Sequence, residues 1–283
     1  MEIKNVGVVG CGVMGSGIAQ VCAQSGYQVV VSEINDELLN KGLALINSAL
    51  SRSVDKGKIS QQDKESILAR IKGTTNTQDF RDCDLIIEAA VENMDLKKKI
   101  FAEVDKICPK HAILATNTSC LSIIDMAMIT SRPDKVLGLH FFNPVPVMTI
   151  VEIVKTIATN DETLETGKVF GKSLGKNIVI AQDTPGFIVN RLWIPFVLDA
   201  ARMLEAGIAT KEDIDTGVRL GLNHPMGPLA LADLVGLDTI MFIANAIYEE
   251  LKDPRYAVPP LWKKMFTAGQ LGRKTGKGFY DYK

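Results

Sequence analysis

Short, almost wholly apolar runs alternate with stretches of helical period up to Asp183, and there the alternation stops. The candidate strands are the runs near 3–9, 27–33, 71–75, 84–89, 112–116, 136–142, 149–155 and 177–181. That pattern predicts the strands of a buried, mostly parallel sheet. Between them, apolar positions at helical spacing predict a long amphipathic helix over 36–55 and a second over 60–70 with Ser60 as its cap. Further helices are expected over 96–107 and 162–174. After Asp183-Thr184-Pro185-Gly186 only helical patterns remain. Pro185 at a first helical position predicts a helix through 187–207, stopped by Gly207. One helix capped at Thr210, one after Pro228 and one after Asp238 follow, and a loop closes the chain over 272–283. The expectation is two domains, an α/β domain over 1–183 and an all-helical domain over 184–283.

The first strand runs straight into Gly10-Cys11-Gly12-Val13-Met14-Gly15. Gly10 permits a tight turn, Gly12 lets the backbone approach a pyrophosphate, and Gly15 lets the following helix pack closely on its strand. The helix N-terminus then faces the phosphates. Placed between a strand and a helix, with Glu33 closing the next apolar run, the motif reads as a dinucleotide-binding fingerprint of a Rossmann-type domain. Glu33 stands where it would accept both ribose hydroxyls and repel a 2′-phosphate, which favours NAD over NADP. An ordinary solvated acid at a strand end fits the same position.

A net charge of −1 argues against a nucleic-acid protein, which needs a basic excess. The five cysteines, Cys11, Cys22, Cys83, Cys108 and Cys120, are odd in number and free of CxxC spacing, which fits reduced thiols, no disulfide framework and no zinc site. No metal is expected at all. Strand residues from Ile3 leave no room for a secretory leader, and no apolar run approaches the ~20 residues of a membrane span. A cytoplasmic protein is expected.

Of three histidines, His140 has unusual surroundings. It follows the apolar run KVLGL and precedes Phe141-Phe142-Asn143-Pro144, at the carboxyl edge of the sheet where ligands of open α/β folds bind. A satisfied core histidine is the plainer alternative. Glu152 lies inside the apolar strand Thr149-Ile150-Val151-Glu152-Ile153-Val154, where burying a carboxylate costs several kcal/mol unless it is paired. His140, at the edge of the same sheet, is the obvious partner, and such a pair is a general base with its orienting acid. An outward-facing, solvated Glu152 is the alternative. Ser119, at another strand end, is either a site residue or the N-cap of a helix beginning there. Asn190, on the apolar first helix of the second domain, wants a partner that is either substrate or a neighbouring loop.

Together these stretches resemble the 3-hydroxyacyl-CoA dehydrogenases. The resemblance rests on LHFFNPVP with Glu152 twelve residues after the histidine, and on GCGVMGSGIA, ATNTSCLSI, QDTPGFIVNR and GRKTGKGFYDY, so it runs from the first strand to the end of the chain. The length is similar to the short bacterial form that acts on 3-hydroxybutyryl-CoA. The resemblance implies an NAD-dependent oxidoreductase interconverting (S)-3-hydroxybutyryl-CoA and acetoacetyl-CoA. It implies His140 as catalytic base, Glu152 as its partner, and Ser119 and Asn190 as polar groups that orient substrate. It implies NAD contacts by Glu33, Glu92, Lys97, Ser119, Asn143 and Lys274 beside the turn of Gly10, Gly12, Met14 and Gly15. For a CoA thioester it points to Ser51, Arg52 and Lys56 on the long helix. Arg52 and Lys56, four apart, would share a helix face as a phosphate clamp or as a plain solvated face. A homodimer or higher homo-oligomer is the family expectation. Two rivals share the motifs: a relative acting on a sugar acid, and a non-catalytic NAD-binding or structural protein on the same fold.

Overall fold

The computed structural model describes residues 2–282. In chain order the first unit runs β1 (Asn5–Val9), α1 (Val13–Gln24), β2 (Gln28–Ser32), α2 (Asp36–Asp55), α3 (Gln61–Ala69), β3 (Ile71–Thr74), β4 (Leu85–Glu88) and α4 (Met94–Ile107). It continues through β5 (Ile113–Thr116), α5 (Ile123–Ala127), β6 (Val136–Phe141), β7 (Ile150–Lys155), α6 (Asp161–Ser173) and β8 (Asn177–Gln182). The eight apolar runs all become strands of one sheet in the order β3-β2-β1-β4-β5-β6-β7-β8. Every neighbouring pair is parallel except β6 and β7, which are antiparallel. The order reverses between β1 and β4, and that switch point opens a crevice at the carboxyl ends of the strands.

Side chains alternate across the sheet, so each strand serves two cores. Leu85 and Ile87 of β4, Ile113 and Ala115 of β5, and Leu137 and Leu139 of β6 join the core packed by α1, α2 and α6. The residues between them face the other way, under α4 and α5. Gly138 makes room there: a Cβ on it would lie 2.6 Å from Ile123 Cδ1 of α5.

The chain divides into two compact units between Thr184 and Pro185. Among its described residues the second unit has helices α7 (Val189–Glu205), α8 (Lys211–Gly221), α9 (Pro228–Val235), α10 (Leu237–Leu251) and α11 (Pro260–Thr267), short 3-10 turns, and isolated β-bridges joining Gly272, Lys277 and Asp281 in the terminal loop. Its core gathers Ile194, Val197, Leu198, Leu229, Ile240, Ile247 and Trp262. Two expectations need correction here. Pro185 does not begin α7, because Gly186 and Phe187 adopt φ of +78° and +47° and neither can sit in a right-handed helix. The pattern after Asp238 also missed α11, which opens on Pro260 at its first position. No single helix among the described residues is long and apolar enough to cross a membrane.

The glycine turn shows how tightly α1 seats. Gly10 has φ +95°, and a Cβ on Gly15 would lie 1.8 Å from the Gly10 carbonyl oxygen. Gly15→Ala is expected to destabilise the fold by about 1–3 kcal/mol, seen as a lower urea midpoint at an unchanged m-value. A midpoint equal to the parent's would mean that α1 can ride away from the turn without strain.

Candidate active site

Four polar residues stand on the sheet face that α4 and α5 cover. Glu88 ends β4, Thr116 ends β5 in register with it, and His140 and Glu152 lie directly opposite each other on β6 and β7. All four are buried, Glu88, Thr116 and Glu152 completely so. Their common face follows from period-two alternation, since each is an even step from a neighbour that faces α5 or α4. Polar groups at this depth survive only with partners.

Antiparallel pairing supplies the partner for Glu152. His140 Nδ1 lies 2.6 Å from Glu152 Oε2, and the imidazole packs at 4.6 Å, centroid to centroid, against Phe142. With Nδ1 donating to the carboxylate, the imidazole is held in the tautomer that leaves Nε2 as its basic atom. The twelve-residue spacing of the pair is the reach of one hairpin, β6 out and β7 back.

A second buried system lies two strands away. Lys97, 1% exposed on α4, donates to both Glu88 oxygens at 2.7 and 2.9 Å and to Ala90 O at 3.3 Å. Glu88 also accepts from Ala90 N at 2.7 Å and Thr116 Oγ1 at 2.6 Å. On its outer side Lys97 reaches Glu92 at 3.2 Å. Glu92 in turn accepts from Thr118 Oγ1 at 3.0 Å, Ser119 N at 2.9 Å and Ser119 Oγ at 3.3 Å. Ser119 therefore does not begin a helix. Ser122 caps α5 instead, and Ser119 stays half-buried in the loop after β5, fastened to Glu92. In the strand order that loop lies between β4, which leads to Glu92, and β6, which carries His140. Glu88 and Thr116 were not singled out from the sequence; Glu88 there reads only as the polar end of the run LIIE.

At the other side of the switch point, Glu33 closes the glycine turn. Its Oε1 accepts from Cys11 N at 2.8 Å and its Oε2 from Ile34 N at 3.1 Å. Gly12 is exposed, with nothing within 4 Å of where a Cβ would stand. The N-terminus of α1 has no side-chain cap and no acidic residue in its first turn. Uncapped N–H groups beside an open glycine fit a dinucleotide's pyrophosphate. Met14, in that first turn, is half-buried and packs on the first core.

The remaining candidates are more scattered. Asn143 is exposed on the loop joining β6 to β7. Ser51 accepts from Lys64 Nζ at 2.8 Å, and Arg52 donates to Ser48 at 2.9 Å within α2. Lys56 is the C-cap of α2, just past its last helical residue, so the expected clamp has only one member on the helix proper. In the second unit, Asn190 is buried near the start of α7, and Lys274 holds Asp238 at 2.5 and 2.6 Å. Burial pushes the thiols of Cys11, Cys83, Cys108 and Cys120 up to about 12 and that of Cys22 further, so none is a ready nucleophile. Among the described residues no group of three His, Cys, Asp or Glu could hold a metal ion.

Residues 5–184 match the family model of the 3-hydroxyacyl-CoA dehydrogenase NAD binding domain, and residues 186–282 match that of the 3-hydroxyacyl-CoA dehydrogenase C-terminal domain. A 3-hydroxybutyryl-CoA dehydrogenase of Mycobacterium tuberculosis is 48% identical over 282 residues, covering 99% of each chain. The crystal structure of M. tuberculosis FadB2 superposes with a TM-score of 0.97 at 47% identity over 100% of both chains. That of the (S)-3-hydroxybutyryl-CoA dehydrogenase PaaH1 of Ralstonia eutropha gives 0.95 at 47%, again over 100% of both.

The buried ion pair makes a stability prediction. Lys97→Met leaves Glu88 buried without its cation and is expected to destabilise the protein by about 3–5 kcal/mol, read by urea unfolding. A loss under about 1 kcal/mol would put the pair among exposed bridges and contradict its burial.

Proposed function

The chain belongs to the 3-hydroxyacyl-CoA dehydrogenase family, and on that premise we propose that it is an NAD-dependent 3-hydroxybutyryl-CoA dehydrogenase using His140 and Glu152 as its acid/base pair. The substrates are (S)-3-hydroxybutyryl-CoA and, in reverse, acetoacetyl-CoA. The observation that carries the reading is the 2.6 Å contact of His140 Nδ1 with the fully buried Glu152, on the sheet whose first turn fits a dinucleotide.

The nicotinamide, when bound, exchanges a hydride with C3 of the substrate. Everything else falls to the chain. His140 Nε2 takes the proton of the 3-hydroxyl as the C3–H bond gives up its electron pair, and returns that proton to the oxygen in the reverse direction. Glu152 keeps the ring in the reactive tautomer and stabilises the imidazolium in a site that excludes water. Ser119 and Asn190 orient the substrate. Gly10, Gly12, Met14 and Gly15 leave the helix N-terminus open to the pyrophosphate. Glu33 receives the adenosine ribose, and its charge opposes a 2′-phosphate. Glu92, Lys97, Asn143 and Lys274 complete the cofactor contacts, and Ser51, Arg52 and Lys56 hold the CoA end. The second unit serves substrate binding and self-association into a dimer or higher homo-oligomer, in the cytoplasm.

Loss of NADH absorbance with acetoacetyl-CoA tests the reaction, beside a parallel run with NADPH. Rapid NADH oxidation is expected, and much slower oxidation of NADPH; no reaction with either, but activity on a sugar acid, would transfer the assignment to that branch. His140→Gln is expected to lower kcat by about three orders of magnitude with NADH affinity nearly unchanged. Loss of NADH binding in a folded His140→Gln protein would make His140 structural.

A further inference from the structure

The buried charges at the ends of β4 and β5 have a sum that their mutual pairing leaves unexplained. Glu88 meets only donors: Lys97 at both oxygens, the Ala90 amide and the Thr116 hydroxyl. Glu92 likewise meets Lys97, the Ser119 amide and the hydroxyls of Thr118 and Ser119. One ammonium lies between two carboxylates, so the three side chains carry one net negative charge. Lys97 needs only one of the acids as counter-ion. Keeping the second is costly where Glu88 and Lys97 are 0% and 1% exposed and solvent does not screen them.

We propose that this surplus charge sets the preference of the site for the oxidised over the reduced cofactor, with Glu88 as the determining residue. The proposal rests on the NAD-dependent reading given above. A dinucleotide straddles the switch point, one half on the β2 side and the other on the β4 side. Glu33 marks the adenosine half, so Glu92, whose side chain is 25% exposed, stands at the nicotinamide half. An oxidised nicotinamide carries a positive charge and a reduced one carries none, so only the oxidised ring is attracted by the network. When the 3-hydroxyl is oxidised, that positive charge passes from the cofactor to His140, where Glu152 receives it. The Glu88–Lys97–Glu92 network is then the counter-charge at one end of the transfer, and Glu152 the counter-charge at the other. A merely structural ion pair would treat the two cofactor forms alike.

Dissociation constants for NAD+ and NADH, measured by calorimetry without substrate, distinguish these. In Glu88→Gln the Kd for NAD+ is expected to rise about tenfold, and that for NADH by less than about twofold. Glu92→Gln, at the solvent end of the same network, is expected to shift the ratio in the same direction, and it decides the matter if Glu88→Gln does not fold. Thr116→Val removes a hydrogen bond and keeps the charge, so its ratio should equal the parent's. Equal weakening of both forms in the two Gln variants, or an unchanged ratio, overturns the proposal and leaves the dehydrogenase reading intact. Failure of the parent to bind either form overturns that reading itself, and this inference with it.

Discussion

Two carboxylates with no exposure to solvent, Glu88 and Glu152, stand on one face of one sheet. Each costs several kcal/mol to bury unless its oxygens are answered, and much of the local architecture answers them. For Glu152 the answer is a strand reversal. In a wholly parallel sheet two such strand residues would come from separate crossover units; turning β7 back along β6 sets His140 directly across from it. For Glu88 the answer is a helix. The α4 segment begins six residues after β4 and returns across the same face, which brings the ammonium of Lys97 down onto the strand end. The adjacent β5 contributes the Thr116 hydroxyl in register.

These two solutions leave different things at the crevice. The His140–Glu152 pair ends in a basic imidazole nitrogen, a group that changes charge in the proposed reaction. The Glu88 system ends in Glu92 and the Ser119 loop, groups that exchange no proton in that reaction. A dehydrogenase moves one positive charge between cofactor and base, and a low-dielectric site is sensitive to where that charge lies. A counter-charge on each side lowers the cost of both positions.

Most of the fold was legible because the central strands are buried on both faces, while the edge strands β3 and β8 stay partly exposed. Continuous apolar runs such as KVLGL and TIVEIV have no other stable home, and Glu152, with two apolar residues on each side, stood out for that reason. Glu88 has the same burial and did not stand out, because its stretch Asp84–Glu92 holds three acids and nothing in the pattern tells which of them α4 will cover. Ser119 was misleading in a similar way. A serine after a strand commonly caps a helix, yet here Glu92, 27 residues away in sequence, takes its amide and hydroxyl and the helix starts three residues later at a Ser122 cap. Pro185 looked like a helix start, but two left-handed residues follow it. Long-range hydrogen bonds and positive φ leave no periodic trace in a sequence, and those are the places where the reading failed.

The loop from Phe142 to Thr149 joins the two strands of the proposed acid/base pair, and its position follows from another buried charge. Lys176, just before β8 and nine-tenths buried, donates to Val145 O at 2.7 Å and Met148 O at 2.6 Å. Burial pulls its pKa below the usual lysine range, and the two carbonyls are the acceptors that hold its ammonium in place. Val145, so fixed, closes on α1: a Cβ added to Gly17 would lie 2.9 Å from Val145 Cβ. Gly17 is therefore a contact point between the loop that carries Asn143 and the helix whose N-terminus faces the glycine turn. Through it the strands of His140 and Glu152 are registered against the dinucleotide turn. Proton-transfer chemistry needs its base placed to within a fraction of an ångström of the reacting atoms. A packed glycine and a carbonyl-held lysine give that placement with no added element of structure.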